Sequence, residues 1–208
     1  MADKGELIMS TNYTFDRDFT DKVHNKLACD LIYKSLNWLP QNINAFLSQN
    51  VDMKNAVDYF FIDVNRNVIV TTQERFRDKQ YAAYNDFTIR FEREYNPHEE
   101  RRLSEYYKLN ADYFVYGIIN MSKFEVDKAT DFIKFAVINI KELKRLMDNG
   151  DIYIDRTLNS RCCKKVGAKM CCPVNYNKDR SSSFIPIDIK MLGELFKNVP
   201  IIISSKGY

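Results

Sequence analysis

The chain has 208 residues, of which 45% are hydrophobic and 28% are charged, as in an ordinary globular domain. With only 5 Pro and 6 Gly it is neither fibrous nor disordered, and a chain of this length needs no disulfide to hold a core. The net charge of +3 is too small to indicate nucleic-acid binding by itself. The sequence has no signal-peptide pattern and no membrane-length apolar run. We therefore expect a cytoplasmic protein that does not bind membranes, with its 5 cysteines reduced or bound to metal.

The chain begins with a polar leader, 1–14, which precedes a predicted amphipathic helix over 15–39. Apolar residues recur every four positions in this helix: Phe15, Phe19, Val23, Leu27 and Leu31. Cys29 is predicted to be a core residue, and His24 lies beside the apolar stripe. Pro40 is predicted to end the helix, and a shorter helix is predicted over 41–48.

Aromatic and β-branched residues over 56–63 and 67–76 predict two strands of a hairpin. If Asn65 and Arg66 form a two-residue turn, Val64 pairs with Asn67, and the two residue numbers of every cross-strand pair add up to 131. This register places Asp58 directly opposite Gln73. Because side chains alternate along a strand, Asp58, Gln73 and Arg75 share one face of the hairpin. Glu74 points to the other face.

Strict alternation over 86–92 predicts a half-buried strand, whereas 97–108 is either a short helix or an exposed loop. Further strands are predicted over 111–119, 132–140, 184–187 and 200–203, and helices over 141–148 and 188–197. This order of elements predicts one domain, 15–208, of the α/β class (mixed α+β). Its expected architecture is a central mixed sheet flanked by helices.

The segment 161–183 is predicted to be a basic, cysteine-containing loop. Six basic residues and one acidic residue lie between positions 161 and 180, so we expect phosphate contacts from Lys164, Lys165 and Lys169. The same loop contains four clustered cysteines, which are Cys162, Cys163, Cys171 and Cys172. They are candidate zinc ligands, but adjacent cysteines seldom bind one ion and the CxxC spacing is absent. Unliganded thiols are therefore the favoured alternative.

The polar end of the 56–77 hairpin is the candidate active site. A carboxylate on a covered sheet must be paired or must bind a cation. One interpretation is a cross-strand ion pair between Asp58 and Arg75, and the other is a metal-dependent site. The long helix, the strand Asp58 and the triplet from Gln73 to Arg75 resemble the PD-(D/E)xK nuclease superfamily, which includes restriction endonucleases. The resemblance covers about residues 15–120 and implies a restriction-endonuclease-like sheet.

The resemblance also implies roles for three residues. Asp58 and Gln73 would hold Mg²⁺, or Mn²⁺ in its place, and Arg75 would position the scissile phosphate. Gln73 stands where the superfamily commonly has Glu, and Arg75 where it has Lys. A guanidinium cannot act as a base, although it can hold a phosphate. Glu74 would become a substitute ligand only if a bulge rotated the strand.

A second set of residues is predicted to contact nucleic acid. The strand over 86–92 places Thr88, Arg90 and Glu92 on one face. Together with Arg75 and Arg77, they are predicted to form a surface that contacts phosphates. The alternative is a solvated face with paired charges.

The sequence thus leads to a metal-dependent endo- or exonuclease that acts on DNA, with RNA as the alternative substrate. A rival hypothesis is a catalytically inactive nuclease-fold protein that binds nucleic acid or a protein partner, for example in phage–host conflict and defence. A third is a small zinc-stabilised interaction protein. Homodimer formation is a further alternative.

Overall fold

The computed structural model describes residues 15–41, 56–99 and 102–208, and a six-stranded sheet forms its centre. In order across the sheet, its strands are β1 (Trp38–Gln41), β2 (Tyr59–Asp63), β3 (Val68–Arg77), β5 (Tyr113–Ile119), β6 (Phe132–Asn139) and β12 (Ile202–Lys206). β3 and β5 are parallel and every other neighbouring pair in this sheet is antiparallel, so the predicted mixed sheet is confirmed.

Two three-stranded sheets accompany the central sheet. The first has the order β10 (Asn175–Tyr176), β11 (Ser183–Asp188) and β4 (Asp86–Arg90). The second has the order β7 (Ile152–Asp155), β9 (Lys169–Pro173) and β8 (Lys164–Val166). The prediction of a loop over 161–183 is therefore wrong. Gly167 adopts φ 61° between β8 and β9 and allows the tight turn. Met170 and Cys172 on β9 are fully buried, so this hairpin contributes to the core.

The N-terminal helix, α1, is α-helical over 15–23, becomes a π-helix at His24–Tyr33 and ends in the 3₁₀ turn Lys34–Leu36. Asn37 then adopts the left-handed conformation, with φ 56°, and starts β1. The predicted helix over 15–39 is thus too long by three residues. Pro40 lies in β1, at the sheet edge, where its missing N–H costs no ladder bond. Of the helix predicted over 41–48, Gln41 is in β1, and 42–48 lie outside the described residues.

The remaining α-helices of the described residues are α2 (Glu105–Lys108), α3 (Ile140–Asp148) and α4 (Ile189–Leu195). The predictions of α3 and α4 are confirmed to within two residues at each end. Asn139 and Asp188 cap these two helices, because their side chains accept hydrogen bonds from the N–H groups of Glu142 and Met191. No helix in the described ranges is long and apolar enough to cross a bilayer.

The central sheet is covered on both faces. On the face that we call the helix face, α1 packs against Phe61, Val115 and Val137. On the opposite face, which we call the β4 face, Phe114 and Ile138 pack with β4, β11, α3 and α4. This two-sided burial explains why both faces of the hairpin are apolar near the centre of the sheet.

The β2–β3 hairpin has the predicted register, since Tyr59 pairs with Thr72 and Phe61 with Val70. Its turn is longer than predicted and spans four residues, 64–67. The N–H of Asn67 closes this turn by donating to the carbonyl of Asp63 at 2.8 Å. A four-residue turn pairs Asp63 with Val68, so it gives the same register as the two-residue turn.

Candidate functional site

Asp58 and Gln73 meet at the end of the hairpin, as the register predicts. Gln73 Nε2 donates to Asp58 Oδ2 at 2.8 Å, and the N–H of Glu74 donates to the same oxygen at 2.7 Å. Arg17, on α1, donates to Asp58 Oδ1 at 3.1 Å. Asp58 is buried, so these three donors compensate the loss of water around its carboxylate. The carboxylate therefore joins α1 to the end of the hairpin.

Arg75 does not pair with Asp58, and that interpretation is wrong. Its guanidinium pairs with the buried carboxylate of Glu105 and donates to the carbonyl of Thr88. Glu105 also accepts the N–H of Arg90 at 3.0 Å. The backbone groups of Thr88 and Arg90 lie on the edge of β4 that faces away from β11. The Arg75–Glu105 pair thus satisfies the edge of β4, and it separates Arg75 from Asp58.

The residues at Asp58, as arranged, do not fit a Mg²⁺ ion. Mg²⁺ requires oxygen donors, but Gln73 turns its NH₂ group toward the carboxylate, and the charge of Arg17 opposes a cation at Oδ1. Gln73 Oε1 is buried and has no hydrogen-bond partner among the described residues. Across the ranges that the structure describes, no group of three His, Cys, Asp or Glu residues is placed to hold a metal. Magnesium dependence therefore stays a prediction.

Glu74 does not replace Gln73 as a ligand beside Asp58, because the β3 register runs without a bulge through position 74. Its side chain points to the helix face, where His24 Nδ1 lies 2.8 Å from Glu74 Oε1 and the Tyr33 hydroxyl donates to the same oxygen. His24 Nε2 lies 3.4 Å from Cys29 Sγ, and the His24 ring stacks on Tyr59 at 3.6 Å. Sequence reasoning missed this network. The signal was a carboxylate at position 74 on a covered face, which must have a partner.

Two of the predicted phosphate-contacting residues, Arg77 and Arg90, are partly buried beside Arg75 on the β4 face. No carboxylate of the described chain lies within 4.0 Å of either guanidinium, although Asp86 and Asp16 influence Arg77 and Glu105 influences Arg90 at longer range. Burial and the charge of Arg75 lower the pKa of Arg77. Burial, with the charges of Arg75 and Arg93, lowers the pKa of Arg90 to about 10. We call Arg77 and Arg90 the arginine pair.

Aromatic rings lie next to the arginine pair. The guanidinium of Arg77 is 5.4 Å from the ring centroid of Tyr81. The ring of Tyr84 is 6.2 Å from that of Tyr81, and Tyr84 is 53% exposed. The cation thus lies next to the partly exposed ring of Tyr81, and the exposed ring of Tyr84 follows it. Cations and aromatic rings supply the two contacts that single-stranded nucleic acids use, to phosphate and to base.

The three predicted lysines are exposed but do not form one cluster. Lys164 and Lys169 share a face of the β8–β9 hairpin, because they alternate with Lys165 and Met170, which pair with each other on the opposite face. No acidic residue of the described chain pairs with any of the three. This surface therefore offers two neighbouring cations rather than the three that were predicted.

The four clustered cysteines do not converge on one point. Cys163 Sγ lies 3.4 Å from Cys172 Sγ and also donates to the carbonyl of Pro186. Cys171 alternates with Cys172 along β9 and so points to the other side of the strand. Cys162 is exposed. The arrangement is a pair of facing thiols with two separate cysteines, and a zinc site stays a prediction without support from this geometry.

No family model, curated protein or solved structure that was compared with this chain matches it. The resemblance to PD-(D/E)xK nucleases thus depends on the long helix, Asp58 and the triplet from Gln73 to Arg75 alone. Function has to be argued from the chemistry of the described groups.

Proposed function

We propose that this protein binds a nucleic acid, DNA in the first place, and that the arginine pair contacts the phosphate backbone. The observation that carries the proposal is a charge imbalance. Two partly buried guanidiniums lie beside a third, and neither has a carboxylate within 4.0 Å in the described chain. Partly buried cations that repel one another raise the free energy of the unliganded protein. A bound anion would remove this cost.

Phosphate is the anion that matches these groups best. A guanidinium presents its N–H donors in a planar fork, which can bind two phosphate oxygens at once. Tyr81 lies beside Arg77 and Tyr84 lies beside Tyr81, so an unpaired base can stack next to the cation. Inorganic phosphate has no base that could stack on these rings. Their position favours a polynucleotide over inorganic phosphate.

Arg75 is not part of the proposed phosphate contact. Its guanidinium already binds Glu105 and Thr88, and only 17% of its side chain is exposed. Its role is to bring β4 close to β3, which places Arg90 beside Arg77. Metal-dependent cleavage at Asp58 is a separate hypothesis that the binding function does not require.

The test is a comparison of two double variants that each remove two positive charges. Arg77→Gln/Arg90→Gln removes the arginine pair, and Lys144→Gln/Arg145→Gln removes two cations on α3. Fluorescence anisotropy with labelled single-stranded DNA, duplex DNA and single-stranded RNA measures affinity at 50 mM salt. Loss of two charge-assisted phosphate contacts should weaken binding by about tenfold or more. The α3 variant should stay within about twofold of the wild type.

Two results would overturn the proposal. The first is an equal loss of affinity in the two double variants, which would show that affinity depends on the net charge of the protein and not on the position of the two arginines. The second is a wild-type protein that binds none of the three probes, which would favour a protein partner. A binding preference for RNA would keep the arginine pair as the contact and replace DNA as the partner.

A further inference from the structure

The network on the helix face contains an arrangement that neither binding nor cleavage of nucleic acid uses. Cys29 Sγ, His24 Nε2, His24 Nδ1 and Glu74 Oε1 lie in sequence, with gaps of 3.4 Å from sulfur to nitrogen and 2.8 Å from nitrogen to oxygen. A thiol next to an imidazole that is oriented by a carboxylate is the arrangement that activates cysteine nucleophiles. We propose that Cys29, His24 and Glu74 form a nucleophilic thiol site that reacts with soft carbon electrophiles.

The π-helix creates this contact. Residues five apart lie about 140° apart around an α-helix, so His24 and Cys29 would point in different directions. In α1 the N–H of Lys34 donates to the carbonyl of Cys29, five residues earlier, as a π-helix requires. The wider turn brings His24 and Cys29 onto the same side of the helix. π-Helical turns are rare and often occur at functional sites.

The surroundings hold His24 as a cation. Burial would lower the pKa of His24, but its hydrogen bonds with Cys29 and Glu74 outweigh burial and raise the pKa to about 10. Only 6% of the His24 side chain and 0% of the Glu74 side chain are exposed, so water screens this pair little. Tyr59 stacks on the imidazole, and its hydroxyl donates to Asp21 at 2.5 Å, which fixes the ring plane. The imidazolium therefore has one N–H directed at sulfur.

Cys29 is partly exposed, whereas His24 and Glu74 are buried, so Cys29 is the residue of this group that is open to a reagent. A nearby imidazolium stabilises the thiolate, which is the reactive form of cysteine. With iodoacetamide, the Cys29 sulfur forms a bond to carbon and the carbon–iodine bond breaks. Iodide leaves with the electron pair, the thiol proton is released to the buffer, and His24 stays an imidazolium throughout. No oxidant or cofactor is needed.

The test measures alkylation of the wild-type protein by iodoacetamide at pH 7.0. Peptide mass spectrometry gives the rate constant at Cys29, and N-acetylcysteine under the same conditions is the reference thiol. We expect Cys29 to react about tenfold faster than the reference, despite its partial burial. A thiol that only fills space in the core would react more slowly than the reference, and that result would overturn the proposal without any variant.

Variants assign the effect to the network. His24→Gln should lower the Cys29 rate by about tenfold, and Glu74→Gln should lower it by a smaller factor, because the imidazolium loses its counter-charge. Asn25→Ala, at the next position of α1, is the matched control and should react as the wild type does. If His24→Gln folds by circular dichroism and reacts as fast as the wild type, the assignment of His24 is wrong. The arginine pair lies on the β4 face, so failure of this test leaves the proposed nucleic-acid binding unaffected.

Discussion

Replacing Asp58 by alanine should destabilise the fold, because the carboxylate closes the end of the hairpin. The buried N–H of Glu74 and the amide of Gln73 both lose their acceptor. A buried donor without a partner costs about 1–3 kcal/mol. Arg17 keeps 33% of its side chain exposed and can return to water, so it adds little. Two such donors would cost about 2–6 kcal/mol. Gln73 is only partly buried, so its amide can turn toward water and the expected loss is about 2–4 kcal/mol, whereas a side chain that served only as a metal ligand would leave folding intact.

Urea denaturation followed by the fluorescence of Trp38 measures this loss. A decrease of about 3 kcal/mol corresponds to a fall in Tm of roughly 6–12 °C for a chain of this length. Asp58→Asn keeps a carbonyl that can accept from Glu74 and should lose about half as much. Asp148→Ala, at an exposed aspartate, should change the free energy of unfolding by less than about 0.5 kcal/mol. The reasoning is refuted if Asp58→Ala is as stable as Asp148→Ala.

Three further predictions concern pH, oxidation and metal. The pKa of His24 is raised from 6.5 to about 10, so its ion pair with Glu74 contributes fully below about pH 6.5 and is lost as pH rises toward 10. The free energy of unfolding should therefore fall more steeply between pH 7 and pH 10 in the wild type than in His24→Gln. Oxidation by diamide should join Cys163 to Cys172, whose sulfurs are 3.4 Å apart, and peptide mapping that finds Cys171 bridged instead would contradict the described geometry. The nuclease hypothesis predicts Mg²⁺- or Mn²⁺-dependent DNA cleavage that Asp58→Asn abolishes. If the wild type cuts no substrate, the nuclease hypothesis is wrong and only the proposed binding function remains.

The hairpin was predictable from the sequence because its information is local. Turn residues and alternation of side chains decide the register, and the register alone places Asp58 beside Gln73. A change of turn length from two to four residues did not matter, since both lengths preserve the pairing. Helices α3 and α4, which were predicted to within two residues at each end, depend on local sequence in the same way.

The partners of the site residues were not predictable, because they come from distant segments. Arg17 is 41 residues from Asp58, and Glu105 is 30 residues from Arg75. Each contact depends on how a helix packs onto the sheet. Alternation identifies the face that a residue occupies, but it does not identify the charge that arrives opposite to it.

The π-helix left a weak signal in the sequence. In an α-helix, residues four positions apart are offset by about 40° around the helix axis, so an apolar stripe with this spacing winds around the helix. The same spacing gives a straighter stripe in a π-helix, whose turn contains more residues. Val23, Leu27 and Ile32 are buried and Leu31 is 39% exposed, so the spacing between buried residues changes from four to five within the π-helix. The β8–β9 hairpin was missed for another reason: its lysines and glycine resemble a loop, whereas the two buried residues at 170 and 172 supply the core contact.

The salt dependence of DNA binding tests the proposed phosphate contact most directly. Each phosphate contact on duplex DNA contributes about 0.9 to the slope of log K against log salt. Arg77→Gln/Arg90→Gln should therefore flatten the wild-type slope by about 1.8, while Lys144→Gln/Arg145→Gln should leave it unchanged. An unchanged slope in the Arg77→Gln/Arg90→Gln protein would contradict phosphate binding by the arginine pair.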